Sequence, residues 1–203
     1  MRKTKEEADK TKQAILEAAL DVFLEKSYET ATLNNIAKKA NVTRGAIYWH
    51  FENKFDILKE LSDIYLGTFL NKMDEEISKV EKNSICQIES LVKKYFDYFT
   101  SDKNVKKYKQ IIEFKIGFTN DTSLIHDMLN EIKIKIINRT NKLILQGQSK
   151  GIIRKDLDAK FLSFAVINMI LGFDRALMFN ENIYDDFPSD YIIKNLIKLI
   201  KTP

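Results

Sequence analysis

Residues 32–54 read TLNNIAKKANVTRGAIYWHFENK, and the fold follows from this stretch. Thr32 stands where a helix N-cap belongs. Leu33, Ile36, Ala37 and Ala40 then fall at i, i+3, i+4 and i+7, one face of a short helix over 33–40. Asn41 is, after glycine, the residue that best accepts a left-handed backbone. Val42 plugs the angle, and Thr43 caps a second short helix over 44–49. On that helix Ile47 turns inward, and Arg44, Gly45 and Tyr48 face out. Two short helices about a tight turn are helix-turn-helix arithmetic. They bring a threonine hydroxyl, an arginine fork and a bare glycine to the front of a helix that fits the major groove.

Short helices about a turn also occur in proteins that never meet DNA, so the placement of charge matters. Residues 1–60 carry 11 Lys+Arg against 10 Asp+Glu, a balance of only +1. Arg2, Lys3 and Lys5 nevertheless form a basic tail, and Lys38, Lys39, Arg44 and Lys54 lie in or beside the motif. Most of the acids sit on the preceding helix or beyond Phe51. A DNA-binding surface needs cations where phosphates lie rather than a large total.

Thr43-Arg44-Gly45-Ala46-Ile47-Tyr48-Trp49-His50-Phe51, followed by Lys54, resembles the recognition-helix signature of the TetR family of bacterial repressors. The opening Arg2-Lys3-Thr4-Lys5 and Thr11 to Phe23 are similar to the start of the AcrR-type multidrug-efflux repressors. The resemblance is strong over residues 1–60; beyond them it extends to length and helical layout. Two positions depart from the family pattern: Asn41 and Ser27 stand where glycine is usual or common. The resemblance implies a DNA-binding domain over 1–53 and a helical ligand-binding and dimerisation domain over 54–203.

The whole chain sets the bounds. Its 203 residues, 44% hydrophobic and 31% charged, suit an all-α protein of two sub-domains with a sizeable core. Two prolines and six glycines favour long helices over sheet turns. A net charge of +4 permits a polyanionic partner. The single cysteine, Cys86, excludes an internal disulfide, fits a reducing compartment and reads as a buried structural thiol. The start is charged, and no uninterrupted apolar run of membrane-spanning length is evident. The expectation is a cytoplasmic protein without a membrane partner.

About nine helices are expected in all. Residues 1–9 read as a basic arm. Lys10–Lys26 forms the first helix, with Ile15, Ala19, Val22 and Phe23 inward. Asn53 caps a long fourth helix, Lys54 to about Lys82, whose first turn offers N–H groups and the Lys54 ammonium to a phosphate. Further helices are expected over 84–100, 105–118 and 123–150, the last closed by Gly151. The eighth, 159–179, is apolar nearly all round and must be covered on two sides. The ninth spans 189–201. The last pair resembles the helices through which TetR-family proteins form four-helix bundles. Phe164, Ile167, Leu171, Ile193, Leu196 and Ile197 are the candidate homodimer contacts.

Catalysis finds little support. The two histidines are His50, inside the motif, and His126, read as a surface or capping side chain, and no nucleophile–base pair, metal-ligand spacing or phosphate loop is present. Neither a cofactor nor a metal is expected. For DNA, Arg44 has the fork that pairs with guanine O6 and N7, and Gly45 lets the helix approach a base. Thr32, Thr43, Tyr48, His50, Lys38 and Lys54 suit phosphate oxygens. Trp49 packs either on the fourth helix or against the sugar-phosphate backbone.

The resemblance also implies a small-molecule inducer that lowers affinity for a double-stranded operator. Phe69, Tyr95, Phe96, Phe99, Phe114, Phe118 and Phe173 are the aromatics on helices that would surround its cavity. Glu113 and Asp174 would suit a cationic, hydrophobic ligand if they point inward. Two other readings stay open at this point. The C-terminal half could bind a protein or only dimerise, or the chain could be a helical enzyme or ligand carrier with a vestigial motif.

Overall fold

The computed structural model describes residues 5–78, 83–179 and 187–202. Arg2 and Lys3 of the basic arm and the expected end of the fourth helix at 79–82 lie outside the described residues. Nine helices make up the described chain: α1 (Lys5–Thr30), α2 (Leu33–Lys39), α3 (Arg44–His50), α4 (Lys54–Ser78), α5 (Ser84–Ser101), α6 (Lys103–Phe114), α7 (Asn120–Ser149), α8 (Ala159–Phe179) and α9 (Ser189–Ile200).

Local chemistry sets most helix ends. Asp102 caps α6 by accepting from Asn104 N at 2.7 Å and Val105 N at 3.0 Å. Asp158 does the same for α8, from Lys160 N and Phe161 N. Thr119 and Thr122 exchange backbone-to-hydroxyl bonds of 3.0 and 3.3 Å, so α7 starts at Asn120, three residues before the expected Ser123. Gly151 has φ +71 and closes α7, as its sequence position suggests. Helix α1 is longer than expected at both ends. It opens with Glu6 paired to Lys10 at 2.8 Å, and it continues to Thr30 across a kink at Ser27, where φ is 67 and ψ 159.

The chain divides into two compact units, Met1–Thr68 with Phe99–Asp127, and Phe69–Tyr98 with Met128–Pro203. In the first, α1 packs against α2, α3 and α6. Ile15, Ala19, Leu20 and Phe23 of α1 share its buried core with Ile36, Ile47, Leu58, Tyr108 and Ile111. Tyr108 stacks on Tyr65 with centroids 5.0 Å apart, and Lys107 of α6 pairs with Asp21 of α1. Packing thus groups α6 and the first half of α4 with the helix-turn-helix, a different cut from the boundary expected at 53/54. The Lys115–Thr119 corner closes on α1: Tyr28 N donates to Lys115 O at 2.9 Å, and Gly117 lies where a Cβ would displace the Glu29 carboxylate. His126 supports the same corner, its Nε2 lying 3.3 Å from Gly117 O.

The second unit buries Ile88 and Val92 of α5, Leu143 and Ile144 of α7, Leu162, Val166 and Ile170 of α8, and Ile193, Leu196 and Ile197 of α9. Cys86, on α5, is half-buried. Gly147 lies against Ile153 and Ser84, and a Cβ there would force both side chains to shift. Residues 159–178 are long and apolar enough, by length and composition alone, to cross a membrane. Buried Asp174 and one face of this helix lie against the unit's own core.

Candidate nucleic-acid interface

The motif is built by reciprocal caps. Thr32 Oγ1 accepts from Asn35 N, and Thr32 N–H donates to Asn35 Oδ1, both at 3.2 Å, so the hydroxyl hydrogen of Thr32 stays available. Helix α2 ends where Ala40 N donates to Ile36 O at 2.8 Å and Val42 N to Ala37 O at 3.0 Å. Asn41 turns the chain at φ 54. Among the described residues, Ser27 and Asn41 are the two non-glycines with positive φ. They are the two positions at which the sequence departs from the glycines of the family pattern.

Thr43 Oγ1 accepts from Ala46 N at 3.1 Å and opens α3. Ile47, fully buried, seats the helix. Thr43, Arg44, Gly45, Tyr48 and Trp49 are exposed, Trp49 by 72%. Trp49 therefore does not pack into the protein; it meets the His50 ring edge-on at 4.5 Å. Arg44 donates to Tyr48 Oη at 2.8 Å and lies 5.3 Å from that ring. A Cβ at Gly45 would meet only Thr43 Oγ1, at 3.8 Å. No contact among the described residues requires a glycine there.

The cations beside the motif separate into two groups. Lys38 is exposed on α2, with no ion pair among the described residues. Lys39 is held by Glu25 at 2.8 Å, which raises its pKa, first through that hydrogen bond and then through the carboxylate charge. Lys54 differs from the expected free ammonium. Its Nζ donates to Tyr28 O at 2.6 Å, Ala31 O at 2.9 Å and Glu29 O at 3.2 Å, and it sits 4.4 Å from the Tyr28 ring centroid. Burial pushes its pKa down. The first turn of α4 is also closed. Asn53 Oδ1 accepts from Asp56 N, and Asp56 Oδ2 accepts from Glu52 N, both at 3.0 Å. Tyr28, whose ring faces the Lys54 ammonium, belongs to no sequence motif. Its signal was its place, next to Ser27 where the family pattern favours glycine.

The expected pocket residues are divided between the two units. Phe69, Tyr95, Phe96, Phe173 and Asp174 belong to the second unit, and Phe99, Glu113, Phe114 and Phe118 to the first. Phe69 meets Tyr95 at 5.9 Å, Tyr95 meets Phe96 at 5.7 Å, and Tyr95 Oη donates to buried Asp174 at 2.8 Å. Glu113 and Phe118 face solvent, which corrects the expectation for both. Helix α6 stops at Phe114, so its period no longer governs Phe118, which is 89% exposed and stacks on His126 at 3.9 Å. Glu113 lies opposite the side of α6 that buries Tyr108 and Ile111.

The expected dimer contacts need a similar correction. Ile167, Ile193, Leu196 and Ile197 are already buried by their own chain, and Leu171 is half-buried. Phe164 alone of the six is well exposed, at 55%, with Phe161 on the same side of α8 at 57%. The buried stripe of α9 faces its own unit because that core takes the most continuous apolar surface available.

Comparison with known proteins agrees with this geometry. Residues 15–61 match the bacterial regulatory proteins of the tetR family. The repressor BepR of Brucella suis is 27% identical over 208 residues, covering 100% of this chain and 98% of BepR. The crystal structure of NalD, the secondary repressor of the MexAB-OprM multidrug efflux pump in Pseudomonas aeruginosa, has a TM-score of 0.80 at 22% identity and covers 96% of this chain and 98% of its own. FadR from Bacillus subtilis, solved in complex with stearoyl-CoA, has a TM-score of 0.71 at 22% identity, with 94% and 97% covered. The matched segment is the one that carries the capped α2 and α3, and the helical fold continues beyond it. Residues 15–61 thus form a helix-turn-helix domain of the tetR type, and the relatives that match along the chain are transcriptional regulators, repressors among them, rather than enzymes.

Proposed function

We propose that the chain is a cytoplasmic homodimeric repressor that reads a partly palindromic operator and is released by a small hydrophobic molecule. The carrying observation is the outward face of α3, where Thr43, Arg44, Gly45, Tyr48 and Trp49 are exposed on a helix seated by Ile47. In this reading Arg44 leaves Tyr48 to pair with a guanine, and Gly45 admits a base edge. Thr32, Lys38, Thr43, Tyr48 and His50 hold phosphates, and Trp49 lies along the sugar-phosphate backbone. The functional division stays at 53/54.

Dimerisation uses the outer side of α8, at Phe161 and Phe164, with the exposed Tyr191 and Leu199 of α9. It sets the two copies of α3 about one helical turn apart, roughly 34–36 Å or a multiple of it. A ligand that prefers a conformer with the wrong spacing lowers operator affinity by its differential binding. Phe69, Tyr95, Phe96 and Phe173 supply apolar surface for it, and the Asp174 carboxylate favours a ligand with a cationic or donor group. The stearoyl-CoA seen in the FadR complex supports a long apolar ligand as the other class to try.

The test is binding of the purified protein to DNA upstream of its own gene, with neutral, cationic and acyl compounds added in turn. Salt-sensitive binding of a dimer, relieved by one class, supports the reading. Binding by a monomer, or no preference for that DNA over a scrambled duplex, overturns it.

A further inference from the structure

We propose that Lys54 is a positioning residue that closes the neck of the helix-turn-helix, and that its ammonium does not hold a DNA phosphate. The inference rests on the operator-binding reading above. Lys54 is the first residue of α4, directly after the motif, and Ala31 directly precedes Thr32, the cap of α2. The Lys54 Nζ to Ala31 O bond of 2.9 Å therefore spans 23 residues and joins the two ends of the segment that carries α2 and α3.

The other two acceptors explain why a lysine is needed here. An ammonium has three N–H donors radiating from one atom and no acceptor. The kink at Ser27 turns the last residues of α1 so that Tyr28 O and Glu29 O converge with Ala31 O on that atom, at 2.6, 3.2 and 2.9 Å. The carbonyls at a helix C-terminus lack partners within the helix, and a cation there also meets the negative end of its dipole. The Tyr28 ring, 4.4 Å away, covers the ammonium on a further side. A phosphate would have to displace carbonyls already bonded and approach Asp121 and Glu29, the carboxylates that act on this lysine.

The two roles differ in ways an experiment can read. Arginine can replace lysine at a phosphate, but its flat fork cannot send three donors from one atom to three converging carbonyls. The test compares the full-length protein with Lys54→Arg and Lys54→Met on operator DNA and on a scrambled duplex over a range of salt, at a temperature where circular dichroism shows each to be folded. A neck-closing lysine predicts that both variants lose about tenfold or more in operator affinity. Scrambled-duplex affinity and the salt slope stay as in the wild type. A phosphate contact predicts instead that Lys54→Met loses about 0.9 of the slope of log K against log salt and weakens both duplexes alike, with Lys54→Arg restoring them. That result overturns the proposal, as does unchanged operator affinity in both folded variants.

Two measurements without DNA keep the outcome decidable if a variant folds poorly or the operator reading itself fails. In wild-type protein labelled at lysine Nζ, the Lys54 ammonium should exchange its protons with water more slowly than the exposed lysines. In Lys54→Met, the amides of residues 33–50 should exchange faster while those of α9 do not change. A fast-exchanging ammonium, or uniform amide protection, overturns the proposal. Wild-type protein that binds no DNA while showing both protections would leave the neck in place and remove the operator reading alone.

Discussion

Helices α3 and α8 both carry large exposed aromatics, yet they were not equally readable. The first has seven residues, one fully buried anchor at Ile47, and polar or aromatic side chains elsewhere on its outer side. Only one seating buries its apolar surface. The second has 21 residues and is apolar on nearly every side. Leu162, Val166 and Ile170 are buried, while Phe161 and Phe164 are more than half exposed, and nothing in their chemistry separates the two groups. Apolar burial is non-directional, so a helix with apolar surface all round can be seated in several ways of similar worth. Patterning decides the first helix; packing against neighbours decides the second.

The largest expected effect separates residues that looked alike in sequence. Ile197→Ala, in the buried stripe of α9, should cost about 2–5 kcal/mol of stability in urea unfolding. Phe164→Asp should leave the helical circular dichroism intact and shift sedimentation from dimer to monomer. If Phe164→Asp unfolds the chain and Ile197→Ala does not, the two sides of this unit have been assigned the wrong way round.

The next effect probes α3. Arg44→Ala should cost about 1–3 kcal/mol at one operator base pair and relax specificity there. A uniform loss over all base substitutions would make Arg44 a phosphate contact and weaken the contrast, because a patterned helix would then have been misread.

The corners that seat the motif give smaller changes. Ser27→Gly should stabilise by about 1 kcal/mol, being strain relief of about 1–3 kcal/mol less the entropy of glycine, about 0.5–1 kcal/mol. Asn41→Gly should gain less, since asparagine tolerates the left-handed region. Equal gains in urea unfolding would place the same strain at both corners.

Tyr28 gives the smallest change at neutral pH and a distinct one in alkali. Burial, then the charges of Asp121 and Asp56, push its pKa up to about 12. The folded chain thus keeps a proton that the unfolded chain loses above its ordinary 10.0. This contribution is fully present below pH 10 and is lost as pH rises toward 12. The Tyr28 hydroxyl is buried with no hydrogen-bond partner among the described residues. Tyr28→Phe should therefore cost no stability at neutral pH and flatten the alkaline fall in melting temperature. An unaltered alkaline profile would assign that fall to another group.

Much of the first unit was legible because its signals are local. Thr32, Thr43 and Asn53 act as caps where their side chains and neighbours suggested. Ile36 and Ile47 are buried as their spacing required. Phe118 misled because a helical period was carried past the end of α6, where the Thr119–Thr122 exchange starts a new element. The grouping of α6 with the helix-turn-helix was not legible. It depends on Lys107 meeting Asp21 and on the Gly117 corner closing against Glu29, contacts between residues about ninety apart in the chain.

By itself the sequence determined the helical class, the two short helices, their caps and turn, and the outward residues of α3. Each depends on interactions within a few positions, where hydrogen-bond reach and helical period leave little choice. Tertiary structure alone decided which side of α8 and α9 the chain covers for itself. It also decided whether Asp174 and Glu113 point in or out, and where the Lys54 ammonium goes. Those outcomes depend on distant segments competing for one apolar surface or one set of carbonyls, and no local pattern records which of them wins.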